Sequence, residues 1–194
     1  PKNLYAFATA DDDYDFDFGF TGKLTNCIAR RDPQFVDTGD AGNGIECDND
    51  GTGSSATPFT RPVLDNLILI GPNDPVALSN HNLAMRWRRA TQFEVTNSTF
   101  IGYMKGGFSL ESNETAQAYK DGKSIFKNNK IGTHTSNVSR NFISGATSIM
   151  TSADVKTKAL ADGNTEIEST NAEILKLEKP SWTTGWTRFP AKGQ

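Results

Sequence analysis

Apolar and polar residues alternate in several short segments of this chain, with the period of two that is typical of β-strands. The alternation occurs in residues 13–18, 45–48, 85–88 and 108–111. Stacked as one sheet, these segments place the following side chains inward: Tyr14 and Phe16, Ile45 and Cys47, Met85 and Trp87, Phe108 and Leu110. The outward positions then form two columns: Asp15, Glu46, Arg86, Ser109, and Asp17, Asp48, Arg88, Glu111. The pattern therefore predicts a stack of parallel strands with a charged outer face.

A second repeat surrounds three asparagines, Asn66, Asn97 and Asn128, which fall 31 residues apart. A fixed period of this length is typical of solenoids, in which each repeat packs on the next. Asparagine tolerates a left-handed backbone, so we expect these residues to occupy a bend between strands. The predicted inward residues are Leu64, Val95 and Ile125 before the bend, and Leu69, Phe100 and Ile131 after it. Together the two repeats predict an all-β chain folded as a right-handed parallel β-helix.

The domain organisation follows from this repeat. At 194 residues the chain suits a single domain, 1–194, in which 1–150 form stacked coils and 151–194 form an irregular segment and a C-terminal cap. Residues 153–161 are expected to form a short helix, and residues 172–178 a last strand. Trp182 and Trp186 are expected to close the open end of the tube as an aromatic cap, because a solenoid must cover its exposed edges. The first coil has no such cap, so we interpret the chain as the C-terminal part of a longer β-helix.

Composition and charge exclude some function classes. The formal net charge is −3, and no basic stripe is present to neutralise phosphates, which argues against nucleic-acid binding. No apolar run reaches the ~18–20 residues of a membrane span. The two cysteines, Cys27 and Cys47, could form a bridge if they stacked on adjacent coils, but the pattern places them on different sheets, which favours buried free thiols. His81 and His134 lie in loop-like sequence without metal-ligand spacing, so we expect both at the surface.

The acidic outer columns predict either ion pairs or a cation. Carboxylates ~4.8 Å apart on stacked strands repel by ~1 kcal/mol in water and more near a protein surface. Arg86 and Arg88 on the following coil can compensate this repulsion. Calcium can also do so, because it takes several oxygen ligands in flexible geometry. The candidate calcium ligands are Asp13, Asp15, Asp17, Glu46, Asp48 and Asp50.

The same face offers candidate catalytic groups. Glu46 and Asp48 stand two apart on one strand, ~6.5–7 Å, near the carboxylate separation of inverting glycosidases. A calcium-assisted polysaccharide lyase would instead use Arg86 or Arg88 to take the proton beside a uronate. Either enzyme requires a groove, for which the loops 37–44 and 72–82 are the expected walls. A non-catalytic protein would instead show a paired ladder of charges without a deep cleft.

Several motifs resemble a family of right-handed parallel β-helix surface proteins of Bacteroidota, many of them lipoproteins. The resemblance rests on the sequences ADDDYDFDFGFTGK at residues 10–23, ARRDP at 29–33, GIECDNDGTGS at 44–54, and WTTGWTRF at 182–189. It implies an exported protein at the outer membrane or cell surface, with its signal or lipid anchor upstream. Partners implied by the family are a TonB-dependent transporter complex or a surface glycan. We favour a non-catalytic binding or accessory subunit; a polysaccharide lyase or hydrolase and a structural adhesin or stalk are the alternatives.

Overall fold

The computed structural model describes residues 1–178 and 180–184, and its strands are short segments that pair in parallel. The strands are β1 (Tyr5–Phe7), β2 (Tyr14–Phe16), β3 (Lys23–Arg30), β4 (Ile45–Cys47), β5 (Val63–Ile70), β6 (Leu83–Trp87), β7 (Glu94–Thr96), β8 (Thr99–Ile101), β9 (Gly106–Leu110), β10 (Ile125–Lys127), β11 (Lys130–Gly132), β12 (Phe142–Ser144) and β13 (Thr165–Glu166). The strands form two sheets. We call the sheet β2-β4-β6-β9-β12 the charged sheet. The other, the asparagine sheet, runs β1-β3-β5-β8-β11-β13, with β7 and β10 pairing alongside.

The register of the charged sheet confirms the predicted inward and outward columns. Tyr14 pairs with Ile45, Ile45 with Met85, and Met85 with Phe108, so that their side chains form one inward column. Phe142 continues this column. Ile45, Met85 and Phe108 are fully buried, as is Trp87 in the neighbouring column, and together they build the central core.

The alternation predicted for residues 13–18 ends earlier than expected. Phe16 is buried, but Phe18 is 79% exposed and has a φ of 47°, in the left-handed region. The chain turns there, and Phe20 rather than Phe18 stacks on Phe16, with ring centroids 5.0 Å apart. Phe18 is therefore a turn residue and makes no contribution to the core.

The left-handed bend recurs in more coils than the sequence repeat suggested. Asn66, Asn97 and Asn128 have φ values of 56°, 53° and 56°, which confirms the predicted left-handed bend. The strand register aligns them with three further residues of positive φ: Asn3, Asn26 and Gly163. These three residues do not follow the 31-residue period, so the repeat in the sequence did not predict them.

The inward positions around the bend differ from the prediction at one place. Leu64 pairs with Val95, and Leu69, Phe100 and Ile131 share a register, as predicted. Val95, however, pairs with Phe126, which is fully buried, while Ile125 pairs with Glu94 and is only partly buried. The assignment of Ile125 to the inward column was wrong by one residue, which reverses the face of a side chain in a β-strand.

Three α-helices lie among the described residues: α1 (Asn113–Lys120), α2 (Ser152–Ala161) and α3 (Asn171–Leu177). The helix α2 was predicted, and a capping box between Thr151 and Asp154 starts it. Its Val155 and Ala159 are fully buried in the central core. The helix α1 was not predicted, although Ser112 caps it by accepting a hydrogen bond from the amide of Thr115.

The segment 172–178, predicted as a strand, belongs to α3. Thr170 caps this helix by accepting from the amide of Glu173, and Ile174 lies on its buried face. Ile174 packs outside the tube, on isoleucines of the asparagine sheet. We call this group the outer cluster, and its members are Ile28, Ile68, Ile70, Ile101 and Ile174, with Tyr5, Ile167, Leu177 and Trp182 against it.

The expected aromatic cap takes a different form in the described residues. Trp182 lies in a 3₁₀ turn (Ser181–Thr183) and packs against the outer cluster rather than in the central core. Trp186 lies outside the described residues. Cys27 and Cys47 lie on different sheets as buried free thiols, as predicted. Among the described helices, none has the length and apolar character needed to cross a membrane.

Candidate functional site

The outward face of the charged sheet carries a continuous set of ion pairs. Arg86 on β6 lies between two carboxylates contributed by the strands on either side. Its Nη1 donates to Oε2 of Glu46 at 3.0 Å, and its Nε and Nη2 donate to the two oxygens of Glu111 at 3.0 and 2.9 Å. A bidentate contact of this kind fixes the plane of the guanidinium group.

The pairing continues at the end of the same strands. Arg88 donates from Nε and Nη2 to the two oxygens of Asp48, at 2.7 and 2.9 Å, and also pairs with Glu46. Arg89 adds a contact of 2.8 Å from Nη1 to Oδ2 of Asp48. We call these residues the ion-pair ladder: Glu46, Asp48, Arg86, Arg88, Arg89 and Glu111. Three carboxylates meet three guanidinium groups, so the ladder is formally neutral.

The ladder is partly open to solvent. The side chains of Glu46 and Arg86 are 16% and 20% exposed, and that of Arg89 is 43% exposed. Burial raises the pKa of Glu46 to about 7, against the opposing effect of Arg88 and Arg86. Glu46 thus takes up a proton near neutral pH.

The six carboxylates predicted to bind calcium lie in different environments. Glu46 and Asp48 belong to the ladder. Asp50 is partly exposed and accepts hydrogen bonds from Thr52 and Ser54 in its own loop. Asp15 is exposed and Asp17 is partly exposed at the edge of the charged sheet. Partial desolvation of its carboxyl group by the neighbouring side chains raises the pKa of Asp15, and the nearby carboxylates of Asp17 and Asp48 raise it further.

Asp13, the sixth predicted ligand, is not on the outward face. Its side chain has no exposed surface, and its Oδ1 lies 3.2 Å from Nη1 of Arg31, which is equally buried. The hydroxyl of Tyr103 donates to its Oδ2 at 3.2 Å. Asp13 was placed outward because the alternation of residues 13–18 was extended one residue too far toward the N-terminus.

Arg31 also changes the interpretation of His81. His81 is fully buried, and its Nδ1 accepts from Nε of Arg31 at 3.2 Å, so the expectation of a surface histidine was wrong. The pKa of His81 is lowered by burial and by the charge of Arg31. His134 is partly exposed, and its Nδ1 lies 2.7 Å from the hydroxyl of Ser136.

In the described part of the chain, no group of three or more histidine, cysteine, aspartate or glutamate side chains has an arrangement that could hold a metal ion. The sequence offered two ways to balance the repulsion between stacked carboxylates: arginines on the next coil, or a cation. In the ladder, the arginines do so. Calcium at the remaining acidic edge stays a prediction.

The loops expected to form two walls of a groove pack on one another. The amide of Gly42 donates to Asn80 O at 3.0 Å, and Asn80 Nδ2 donates to the carbonyls of Asp37 and Asp40 at 2.9 and 3.0 Å. Loops 37–44 and 72–82 thus form one layer. A cavity of about 540 Å³ lies between residues 70–75 and α3, and one of about 280 Å³ lies beside α1. Among the described residues that line these two cavities, none belongs to the ladder.

Comparison with known proteins identifies the fold family. A family model described as the pectate-lyase-like β-helix domain matches residues 1–187. No curated protein and no solved structure matches the chain. The match covers the strands of both sheets and all three helices.

Proposed function

We propose that this chain, which belongs to the pectate-lyase-like β-helix domain family, is a non-catalytic binding subunit that recognises a glycan through the outward face of its charged sheet. The ion-pair ladder is the observation that supports this proposal. Each of its six charged groups is already bonded to a group of opposite sign. Bidentate and charge-assisted bonds of this kind hold the side chains in fixed positions, which favours a binding role for the face.

A paired ladder is suited to binding saccharides. Arginine and carboxylate side chains held in fixed planes offer hydrogen-bond donors and acceptors at strand spacing, ~4.8 Å from one rung to the next. Because their partners already orient them, little side-chain entropy is lost when a ligand binds. The hydroxyls of a sugar chain lying across the strands can bridge donor and acceptor in turn.

The proposal extends to the setting of the protein. We propose an exported protein at the cell surface or outer membrane, working beside a TonB-dependent transporter or another glycan-handling system. This rests on the family resemblance of the sequence. A pull-down from outer-membrane extracts with the full-length protein, followed by identification of the retained proteins, tests the transporter partner.

The binding function is tested by electrophoresis in gels that contain single polysaccharides, together with assays for new reducing ends and for unsaturated uronates. We expect retardation by at least one polysaccharide without release of either product. Arg86→Ala removes the central member of the ladder and should abolish the retardation, whereas Lys105→Ala, outside the ladder, should not. Release of product by the wild-type protein would contradict the proposal.

A polysaccharide-active enzyme is the second candidate, and the raised pKa of Glu46 favours it. A carboxyl that titrates at about 7 can protonate a leaving group at neutral pH. This candidate requires cleavage that is lost in Glu46→Gln while the far-ultraviolet circular dichroism spectrum stays unchanged. An adhesin or stalk would show neither binding to soluble glycans nor cleavage.

We also propose that any calcium binds at the acidic edge formed by Asp15 and Asp17. Two carboxylates are few ligands, so the dissociation constant should lie in the range of weak extracellular sites, about 10⁻⁴–10⁻³ M. Calorimetric titration of the wild type with calcium should give this affinity, and Asp15→Asn should remove it. An unchanged titration in Asp15→Asn would exclude this edge as the site.

A further inference from the structure

The cavity of about 280 Å³ beside α1 has the lining of a small-molecule site. Its walls are residues 53–59 on one side and the α1 helix with its C-terminal turn on the other. Six residues supply its chemistry: Phe59, Gln92, Glu114, Gln117, Asp121 and Lys123. Pockets that bind small molecules are concave and combine an apolar wall with a few polar groups.

The loop wall is held in place by buried hydrogen bonds. Asn49 is 2% exposed, and its Nδ2 donates to the carbonyls of Ser54 and Ala56 at 2.9 and 3.0 Å. Its Oδ1 accepts from the amide of Thr60 at 2.7 Å. One side chain from the end of β4 thus fixes both ends of the loop that carries Phe59.

The helical wall is anchored at both of its ends. The hydroxyl of Ser112, which caps α1, accepts from the amide of Ala90 at 3.2 Å. At the other end of the helix, the carbonyl of Lys123 accepts from Nε of Arg61 at 3.4 Å. Since both walls are anchored, the cavity is preformed, and little ordering is needed when a ligand binds.

The polar lining favours a neutral ligand rich in hydroxyl groups. The carboxamides of Gln92 and Gln117 offer both donors and acceptors, and Nε2 of Gln117 is oriented by a 2.7 Å hydrogen bond to Oδ1 of Asp121. The charged lining residues are two carboxylates, Glu114 and Asp121, and one ammonium, that of Lys123. The C-terminal end of α1 adds partial negative charge at Asp121. A carboxylate-bearing sugar is therefore disfavoured.

The cavity adjoins the ion-pair ladder. Arg89, the last arginine of the ladder, precedes Ala90, which lines the cavity. The loop wall crosses Arg89 closely, since a Cβ on Gly53 would lie 3.2 Å from the Cα of Arg89. A saccharide chain lying on the ladder therefore reaches the cavity at the end of β6.

We infer that this cavity binds one neutral pyranose residue, with the apolar face of the ring against Phe59 and its hydroxyls bonded to Gln92, Gln117 and Glu114. The inference rests on the proposed glycan-binding function and names the sugar class that one part of the site takes. Aromatic rings are suited to this contact because they offer a rigid flat surface at low entropic cost.

The test is saturation-transfer NMR and calorimetric titration of the full chain with methyl glycosides of glucose, galactose and N-acetylglucosamine, and with methyl galacturonoside. At least one neutral glycoside should bind, and the uronoside should bind at least about tenfold more weakly, a difference of about 1.4 kcal/mol. Phe59→Ala should weaken binding of the neutral glycoside about tenfold. Ser55→Trp places a large side chain at an exposed position in the lining of the cavity and should block glycoside binding. Phe35→Ala, which removes an exposed phenylalanine elsewhere, is the matched control and should bind as the wild type does.

Charge selection is tested by the double variant Glu114→Gln/Asp121→Asn, which should bring the uronoside within about threefold of the neutral glycoside. The inference is overturned if no neutral glycoside binds, if Phe59→Ala binds as the wild type does, or if the uronoside binds as tightly as the neutral sugars. The polysaccharide assay separates the two proposals. If Arg86→Ala loses polysaccharide retardation but keeps glycoside binding, both proposals are supported. If the wild type binds a glycoside but is retarded by no polysaccharide, only the proposed glycan-binding role of the ladder is refuted.

Discussion

Nη1 of Arg31 lies 3.2 Å from Oδ1 of Asp13, and neither side chain is exposed to solvent. Arg31 also donates to three backbone carbonyls in two segments: Thr9 O at 3.2 Å and Asp11 O at 2.7 Å before β2, and Asn43 O at 2.7 Å before β4. One guanidinium group therefore holds together the loops of the first coils. An arginine can do this because its planar group presents five donors.

Replacing this arginine should destabilise the protein strongly. Arg31→Met leaves the carboxylate of Asp13 buried without its partner, and breaking a buried pair costs about 3–5 kcal/mol of unfolding free energy. Urea unfolding at pH 7.5, followed by tryptophan fluorescence, measures the loss. Lys23→Met is the control, because the Lys23 side chain is 58% exposed in its 3.7 Å pair with Asp65 and such a pair contributes less than about 1 kcal/mol. Similar losses in the two variants would contradict the structural role of Arg31.

The stability of the protein should depend on the protonation of Asp13. Burial raises the pKa of Asp13 to about 6, although Arg31, Thr9 and Tyr103 lower it. The unfolded value is about 3.9, so the folded state binds the proton more tightly. This contribution to stability is fully present below about pH 4 and is lost as the pH rises through 6.

Asp13→Asn removes this titration. We therefore expect the difference in unfolding free energy between wild type and Asp13→Asn to change between pH 4 and 6 and to be constant above about pH 7. Urea unfolding at half-unit pH steps gives this difference. Asp11→Asn changes an exposed neighbour and should leave the wild-type slope in place. A constant difference across the whole range would exclude a raised pKa at Asp13.

Two adjacent asparagines should respond differently to substitution. Asn129 is 1% exposed; its Oδ1 accepts from the amide of Ser98 at 2.9 Å and its Nδ2 donates to Val95 O at 3.0 Å. Asn129→Ala leaves both backbone groups without these partners, and we expect a loss of more than about 2 kcal/mol. Asn128→Gly keeps the left-handed bend and should cost only a few tenths of a kcal/mol. Thermal unfolding of the two variants makes the comparison, and a larger loss in Asn128→Gly would be the contrary result.

The attachment of α3 can be tested in the same paired way. Ile174 is 8% exposed in the outer cluster, whereas its neighbour Leu175 is 62% exposed. Ile174→Asp places a carboxylate against the isoleucines of the asparagine sheet, so α3 should detach. Hydrogen-exchange mass spectrometry should then show faster exchange in residues 171–177. Leu175→Asp should exchange at the wild-type rate, and equal protection in both variants would mean that the outer cluster does not hold the helix.

The sequence predicted those features that repeat with a fixed chemistry. The columns from Tyr14 to Phe108 were predicted because each rung repeats the alternation of apolar and polar residues at a period of two. Asn3 and Asn26 occupy the same bend but were missed, because the coils that separate Asn3, Asn26 and Asn66 differ in length. Ile125 was misplaced by one residue because both Ile125 and Phe126 are apolar, so the pattern does not distinguish their faces.

The ladder was anticipated as one of two ways to balance the charges, but the buried network was not. Arg31, Asp13 and His81 come from three loops whose approach depends on the fold and not on local pattern. Residues 172–178 contain both β-branched and helix-forming residues, and packing on the outer cluster decided in favour of the helix. The cavity beside α1 depends on a helix that was not predicted from the sequence.

The return of α3 to the asparagine sheet affects how the molecule unfolds. In a simple solenoid each coil contacts only its neighbours, so the ends can fray independently of the middle. Here Arg30 on β3 pairs with Glu178 at 3.0 Å, and Ile174 packs on isoleucines of β3, β5 and β8. This segment, which follows β13 in sequence, thus contacts the second, third and fourth strands of the asparagine sheet. Pulled from its two ends in a single-molecule experiment, the molecule should therefore open at one concerted force peak instead of unravelling coil by coil.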